Sequence, residues 1–170
     1  MKKTSVQKLT FASMLTALGM VALVLSAFIP NMDLSLTAVA GLCPAAAVAR
    51  DGRRSGLMTW AATSILGLLL GYTRESAVLF VFLFGLYPVV KSLCEKTRSL
   101  FWGWTFKIMF ANAGFAMVVG MSMLYFPAML ESDFPLPAVW VVFNAAFVVY
   151  DFFLTQAILF MKKRMKIDRM

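Results

Sequence analysis

Arg50-Asp51-Gly52-Arg53-Arg54-Ser55-Gly56 places three arginines within seven residues, between two runs that carry hardly a charge. Such a segment is costly inside hydrocarbon and favoured on the cytoplasmic face of a bilayer. Gly52 and Gly56 supply the backbone freedom for reversing direction between two helices. A turn between soluble helices would need a polar face on each flank, and neither flank has one. The hinge pins one loop inside, and alternation gives every other loop its side.

The whole chain agrees with that reading. Of its 170 residues, 61% are hydrophobic and 14% charged, against about 45–50% and about 25% in soluble domains. The mean hydropathy of +0.82 is that of an integral membrane protein. A net charge of +8 would suggest nucleic acid in a soluble protein. Here the basic residues sit in short loops and tails, which is an orientation signal. Histidine is absent, which excludes His-ligated metal and His-based acid–base chemistry. Cys43 lies in an apolar segment and Cys94 in a basic loop, so two reduced thiols are expected rather than a disulfide.

Outward from the hinge, the apolar runs predict an all-α bundle of six transmembrane helices over 9–29, 34–49, 57–71, 77–90, 102–126 and 138–161, a single domain. The first run, about 21 residues, is longer than a signal-peptide core, although Ala38-Val39-Ala40 resembles a cleavage site. The second contains Gly41 and Pro44 and is expected to be short and kinked or partly irregular. A basic loop, 91–98, follows the fourth span, with Trp102 and Trp104 as interfacial anchors. With the hinge inside, both termini are cytoplasmic and 15 of the 16 Lys and Arg fall on the inner side, leaving Arg74 outside. The expected location is a bacterial cell membrane.

No phosphate-binding Gly-rich loop, HExxH, GxSxG or CxxC appears. The sequence therefore points to binding or movement rather than covalent chemistry, with no cofactor and no metal. Asp151 falls near the middle of the sixth span, where a carboxylate must be neutralised, paired or hydrated. Asn144 lies two turns away on the same face, and Asn112 lies near the middle of the fifth span. These residues form either a polar lining for a ligand or a structural hydrogen-bonded cluster with Asp151 paired to Lys107. A second candidate surface gathers the outer turns: Asn31 and Asp33, then Tyr72, Arg74 and Glu75, then Glu131, Asp133 and Trp140. Arg74, against the charge bias, suggests a specific partner, either Glu75 or an anionic ligand group. Small residues at helical spacing on the first helix, with Ser13 and Ala17 four apart, permit close helix approach, within the bundle or to a partner.

The opening Lys8-Leu9-Thr10-Phe11-Ala12-Ser13-Met14-Leu15-Thr16-Ala17-Leu18, and the segment from Leu42-Cys43-Pro44 through the hinge to Gly56 and Gly67, resemble the substrate-binding S components of energy-coupling-factor (ECF) transporters. The length and six-span architecture resemble that family as well. The resemblance implies a vitamin- or metal-capturing subunit that docks on a transmembrane coupling protein and two cytoplasmic ATPases. In the family an Ala-x-x-x-Ala pair on the first helix meets the coupling protein; Ser13 and Ala17 stand at those positions here. No vitamin-specific motif is matched, and the lack of histidine argues against the nickel and cobalt members. The competing reading is a non-catalytic membrane scaffold of cell-envelope machinery.

Overall fold

Apolar runs of this length satisfy their backbone groups internally only as helices when lipid surrounds them. A computed structural model describes residues 5–29, 32–70, 74–95, 100–125 and 136–164, and no strand occurs among them. The helices are α1 (Ser5–Phe28), α2 (Asp33–Asp51), α3 (Arg53–Leu70), α4 (Arg74–Leu79), α5 (Tyr87–Cys94), α6 (Leu100–Tyr125) and α7 (Leu136–Arg164). A π-helical turn, Phe80–Phe84, joins α4 to α5. Among the described residues, five helical segments are long and apolar enough to cross a membrane: α1, α2, the α4–π–α5 rod over Ser76–Cys94, α6 and α7. The protein is thus an all-helical membrane protein. α3 occupies the expected 57–71 span but starts on Arg53 and Arg54, which lower its hydropathy. Its 18 residues extend about 27 Å.

α1, α2 and α3 pack most closely on one another. Their contact faces are built from small residues and hydroxyls: Ala40, Ala47, Thr37, Thr59 and Thr63 are all fully buried. Lipid tails compete for apolar contacts, so close van der Waals packing rather than water exclusion holds such helices together. Thr16, Thr37 and Thr59 return their hydroxyls to the carbonyls of Ala12, Asp33 and Ser55, four residues back, and so bring no unpaired donor into the interface.

α2 runs unbroken through Pro44, contrary to the irregularity expected there. The irregularity falls in the fourth span instead. Pro88, near the start of α5, has no N–H to offer the preceding turn. The chain widens ahead of it, and the Gly85 N–H bonds to the Phe80 carbonyl at 2.8 Å, five residues back. The Trp60 indole, reaching from α3, donates to the Val81 carbonyl at 3.1 Å. The fourth span also runs past the expected end at residue 90, to Cys94. Cys43 and Cys94 are free thiols.

α6 and α7 stand at the periphery and turn Phe101, Met109, Met117, Val149, Phe152 and Phe160 outward, as lipid-facing helices do. Gly41 marks the tightest approach between α2 and the π turn. A Cβ there would sit 2.7 Å from the Phe84 carbonyl oxygen and 2.8 Å from the Tyr150 hydroxyl. Gly41→Ala is expected to destabilise the fold by about 1–3 kcal/mol through overpacking against backbone. Gly120, on α6, has nothing within 4 Å of the same added atom, so Gly120→Ala should leave stability unchanged or raise it. Detergent-solubilised thermal unfolding of both variants checks the contrast.

Candidate functional site

Asp151 is 3% exposed and sits on α7 against α5 and α6. Its carboxylate takes donors from both neighbours. Oδ1 accepts from the Tyr87 hydroxyl and the Lys91 ammonium, and Oδ2 accepts from Lys107 Nζ at 2.9 Å. Tyr87 and Lys91 are four residues apart on α5, so one helical face delivers both. Asp151 and Thr155 are likewise four apart on α7. Lys91 Nζ also donates to the Asp151 carbonyl at 3.1 Å and to Thr155 Oγ1 at 2.7 Å, while the Thr155 hydroxyl donates to that same carbonyl. Lys91 is 1% exposed and has all three of its protons placed.

The geometry follows from what surrounds the cluster. Tyr87 lies among Phe110, Phe147 and Tyr150, with ring centroids 6.0, 4.8 and 5.9 Å away. Lys107 Nζ is 5.0 Å from the Trp104 ring, a cation–π contact that helps orient the ammonium. Such a setting strengthens every charge interaction and makes an unpaired charge expensive. Two ammoniums share one buried carboxylate, and a second carboxylate balances the cluster from its edge. Glu95, at the exposed edge, comes within 3.7 Å of Lys91. Chemically, the cluster can hold a carboxylate or another anionic group between two cations.

A second polar group links α6 to α7 farther from the basic end. The Trp140 indole donates to Asn112 Oδ1 at 2.6 Å, and Asn112 Nδ2 donates to Asn144 Oδ1 at 3.2 Å. The spare amide protons go to backbone: Asn112 to Ile108 and Asn144 to Trp140, each at 2.9 Å. At the opposite end of the bundle from the arginine hinge, Ser76 accepts from Ser26 at 3.0 Å and donates to Asp33 Oδ1 at 3.5 Å, tying α1, α4 and α2 together.

Among the residues singled out from the sequence, Asn112, Asn144 and Asp151 do gather between α6 and α7. Trp140 joins this amide ladder rather than the outer turns. Asp33 is placed with Ser76. Asn31, Tyr72, Glu131 and Asp133 lie outside the described residues, and of Arg74 and Glu75 only the helical backbone is described. Ser13 and Ala17 lie on the exposed side of α1. Lys91, read from the sequence as the start of a basic loop, is a buried helical residue. The signal for it was the four-residue spacing of Tyr87 and Lys91 on either side of Pro88, with Asp151 elsewhere in the chain in need of compensation.

Removing one partner from a buried ion cluster leaves an uncompensated charge, worth about 3–5 kcal/mol. Asp151→Leu should therefore cost about that much, and Asp151→Asn less, since the one amide oxygen still accepts from Tyr87 and Lys91 at the Oδ1 position. Lys107→Met combined with Asp151→Asn should recover at least about 1 kcal/mol of the loss by removing one of the two facing cations. Unfolding of wild type, Asp151→Asn, Lys107→Met and the double variant completes the cycle, with Asp151→Leu measured beside them.

Comparison with family models, with curated proteins and with solved structures returns no match.

Proposed function

We propose that this chain is the substrate-capture subunit of an ECF-type uptake transporter, a six-span protein of a bacterial cell membrane with both termini cytoplasmic. It binds a small molecule such as a vitamin or related micronutrient from the outer side. A transmembrane coupling protein and two cytoplasmic ATPases supply the energy. The observation that carries this reading is the free face of α1. That helix packs Ala12, Leu15, Thr16 and Leu23 inward, yet leaves Ser13 and Ala17 exposed, one turn apart. The Ser13 hydroxyl bonds to the Leu9 carbonyl at 3.0 Å, and Thr10 does the same with Val6. The exposed side of α1 thus sets these two small residues among Leu9, Met14, Leu18 and Val21, and with its hydroxyls bonded inward it is apolar in effect, which supports approach by a second helix in lipid.

Two further features support the reading. Lys and Arg divide 15 to 1 along the chain, which favours the hinge side as cytoplasmic. The polar residues between α6 and α7 offer groups that a small polar molecule entering from the outer end could meet.

Ser13→Trp and Ala17→Trp should leave the thermal stability and ligand binding of the isolated protein unchanged, while co-purification with a coupling protein, and uptake, fall at least tenfold. A membrane scaffold built on internal packing gives the reverse order, with the monomer destabilised first at both positions. Orientation is tested separately by labelling single cysteines in a chain lacking Cys43 and Cys94. Gly52→Cys, Lys96→Cys and Met165→Cys should react only from the cytoplasmic side, and Asp33→Cys, Arg74→Cys and Ser132→Cys only from outside. Labelling of Gly52→Cys from outside overturns the orientation.

A further inference from the structure

A crevice of about 360 Å³ opens at the basic end of the bundle, where α2, α3, α5 and α7 meet. Its polar lining is Gly52, Arg53, Lys91, Ser92, Glu95 and Lys162. Arg53 and Lys162 have no carboxylate partner among the described residues. Lys91 forms the crevice floor, with its protons already committed to Asp151 and Thr155. Among the described residues of the crevice lining and the cluster beneath it, Arg53, Lys91, Lys107 and Lys162 are the cations and Asp151 and Glu95 the carboxylates. Four positive and two negative charges leave two positive charges unmatched.

The backbone adds to the same field. α3 begins at this crevice, and Gly52, with φ of +93°, immediately precedes it. A glycine there has no side-chain oxygen to take the free N–H groups of the first turn, and the positive φ disfavours residues that could supply one. The positive end of the α3 dipole therefore reinforces the arginine and lysine side chains. The remaining walls, Val48, Ala49, Pro88 and Ile158, are apolar. Headgroup phosphates lie at the ends of membrane-crossing helices, and α2, α5 and α7 end or begin around this opening.

We propose that this crevice is a phosphate-binding site, in which Arg53 and Lys162 clasp a phosphate group above the buried Lys91. The guanidinium of Arg53 offers a fork of donors to two phosphate oxygens, and Lys162 supplies a mobile point charge. Glu95, on the rim, disfavours anions that approach outside this pair. The phosphate comes either from an anionic lipid headgroup or from solution, and one experiment separates the two.

Purified full-length protein in detergent is challenged in two arms. Native mass spectrometry compares retention of phosphatidylglycerol with that of phosphatidylcholine. Thermal unfolding compares inorganic phosphate with chloride at equal ionic strength. Selective retention of phosphatidylglycerol identifies a headgroup site, and a saturable rise in the unfolding midpoint with inorganic phosphate identifies a site for the free anion. Each basic side chain is worth about fivefold in affinity, so Arg53→Gln with Lys162→Gln should weaken binding by about 25-fold. The two single variants give the same test, about fivefold each, where the double variant fails to fold. Arg54→Gln, an exposed neighbour that does not line the crevice, should bind as wild type does. Absence of selectivity in both arms overturns the site, as does undiminished binding in the Arg53 and Lys162 variants. An equal loss in Arg54→Gln also overturns it, since the effect is then general surface charge.

Discussion

A carboxylate in the middle of an apolar helix has to find cations or protons, and the placement of three helices around Asp151 follows from that need. The side chain takes one lysine from α5 and another from α6, with a tyrosine completing its shell. Elsewhere α6 and α7 present mainly lipid-facing surface. The Phe115–Phe143 ring pair, at 4.7 Å, and the Asn112–Asn144–Trp140 ladder are their other described links. Where dispersion alone scarcely distinguishes a neighbouring helix from lipid, directional polar contacts fix register and rotation. The cluster thus specifies an arrangement as much as it stabilises one.

The other half of the molecule is held together by a different means. α1, α2 and α3 achieve close contact through alanines, glycines and threonines; Thr16, Thr37 and Thr59 satisfy their hydroxyls within their own helices, while the Thr63 hydroxyl is buried without a hydrogen-bond partner. No ion pair is needed there, because backbones that approach closely gain enough dispersion contact. The chain therefore combines a tightly packed, chemically plain side with a looser, polar-pinned side.

The difference between the two halves also explains what could be read from the chain. Helices were legible because apolar runs bounded by charges have one stable form in lipid, and the arginine hinge marked the α2–α3 reversal. Asp151 was legible as a residue that must be compensated, and Lys107 as one possible partner. Lys91 was hidden by the habit of ending a span at its first lysine; burial of that ammonium depends on a carboxylate 60 residues away. Trp140 sits near a helix end and reads as part of the outer turns, yet its indole proton is used by Asn112. The π turn left no mark in Phe80-Val81-Phe82-Leu83-Phe84 itself; only Pro88 hinted at it. Proline in α2 gave a similar hint and the helix continues unbroken, so the signal discriminates poorly on its own.

That π turn sets the angular phase of everything after it. Each residue of an α-helix advances the face by about 100°. The extra residue accommodated within Phe80–Phe84 therefore decides which direction α5 presents. Had the segment stayed regular through α4 and α5, Tyr87 and Lys91 would be rotated away from α7, and Cys94 with them. Loss of a single residue from the phenylalanine-rich turn is consequently a different kind of injury from replacement of any one of them. A replacement alters local packing, whereas a deletion realigns a whole helix and leaves Asp151 facing apolar side chains. The length of this short run is under stronger physical constraint than its composition.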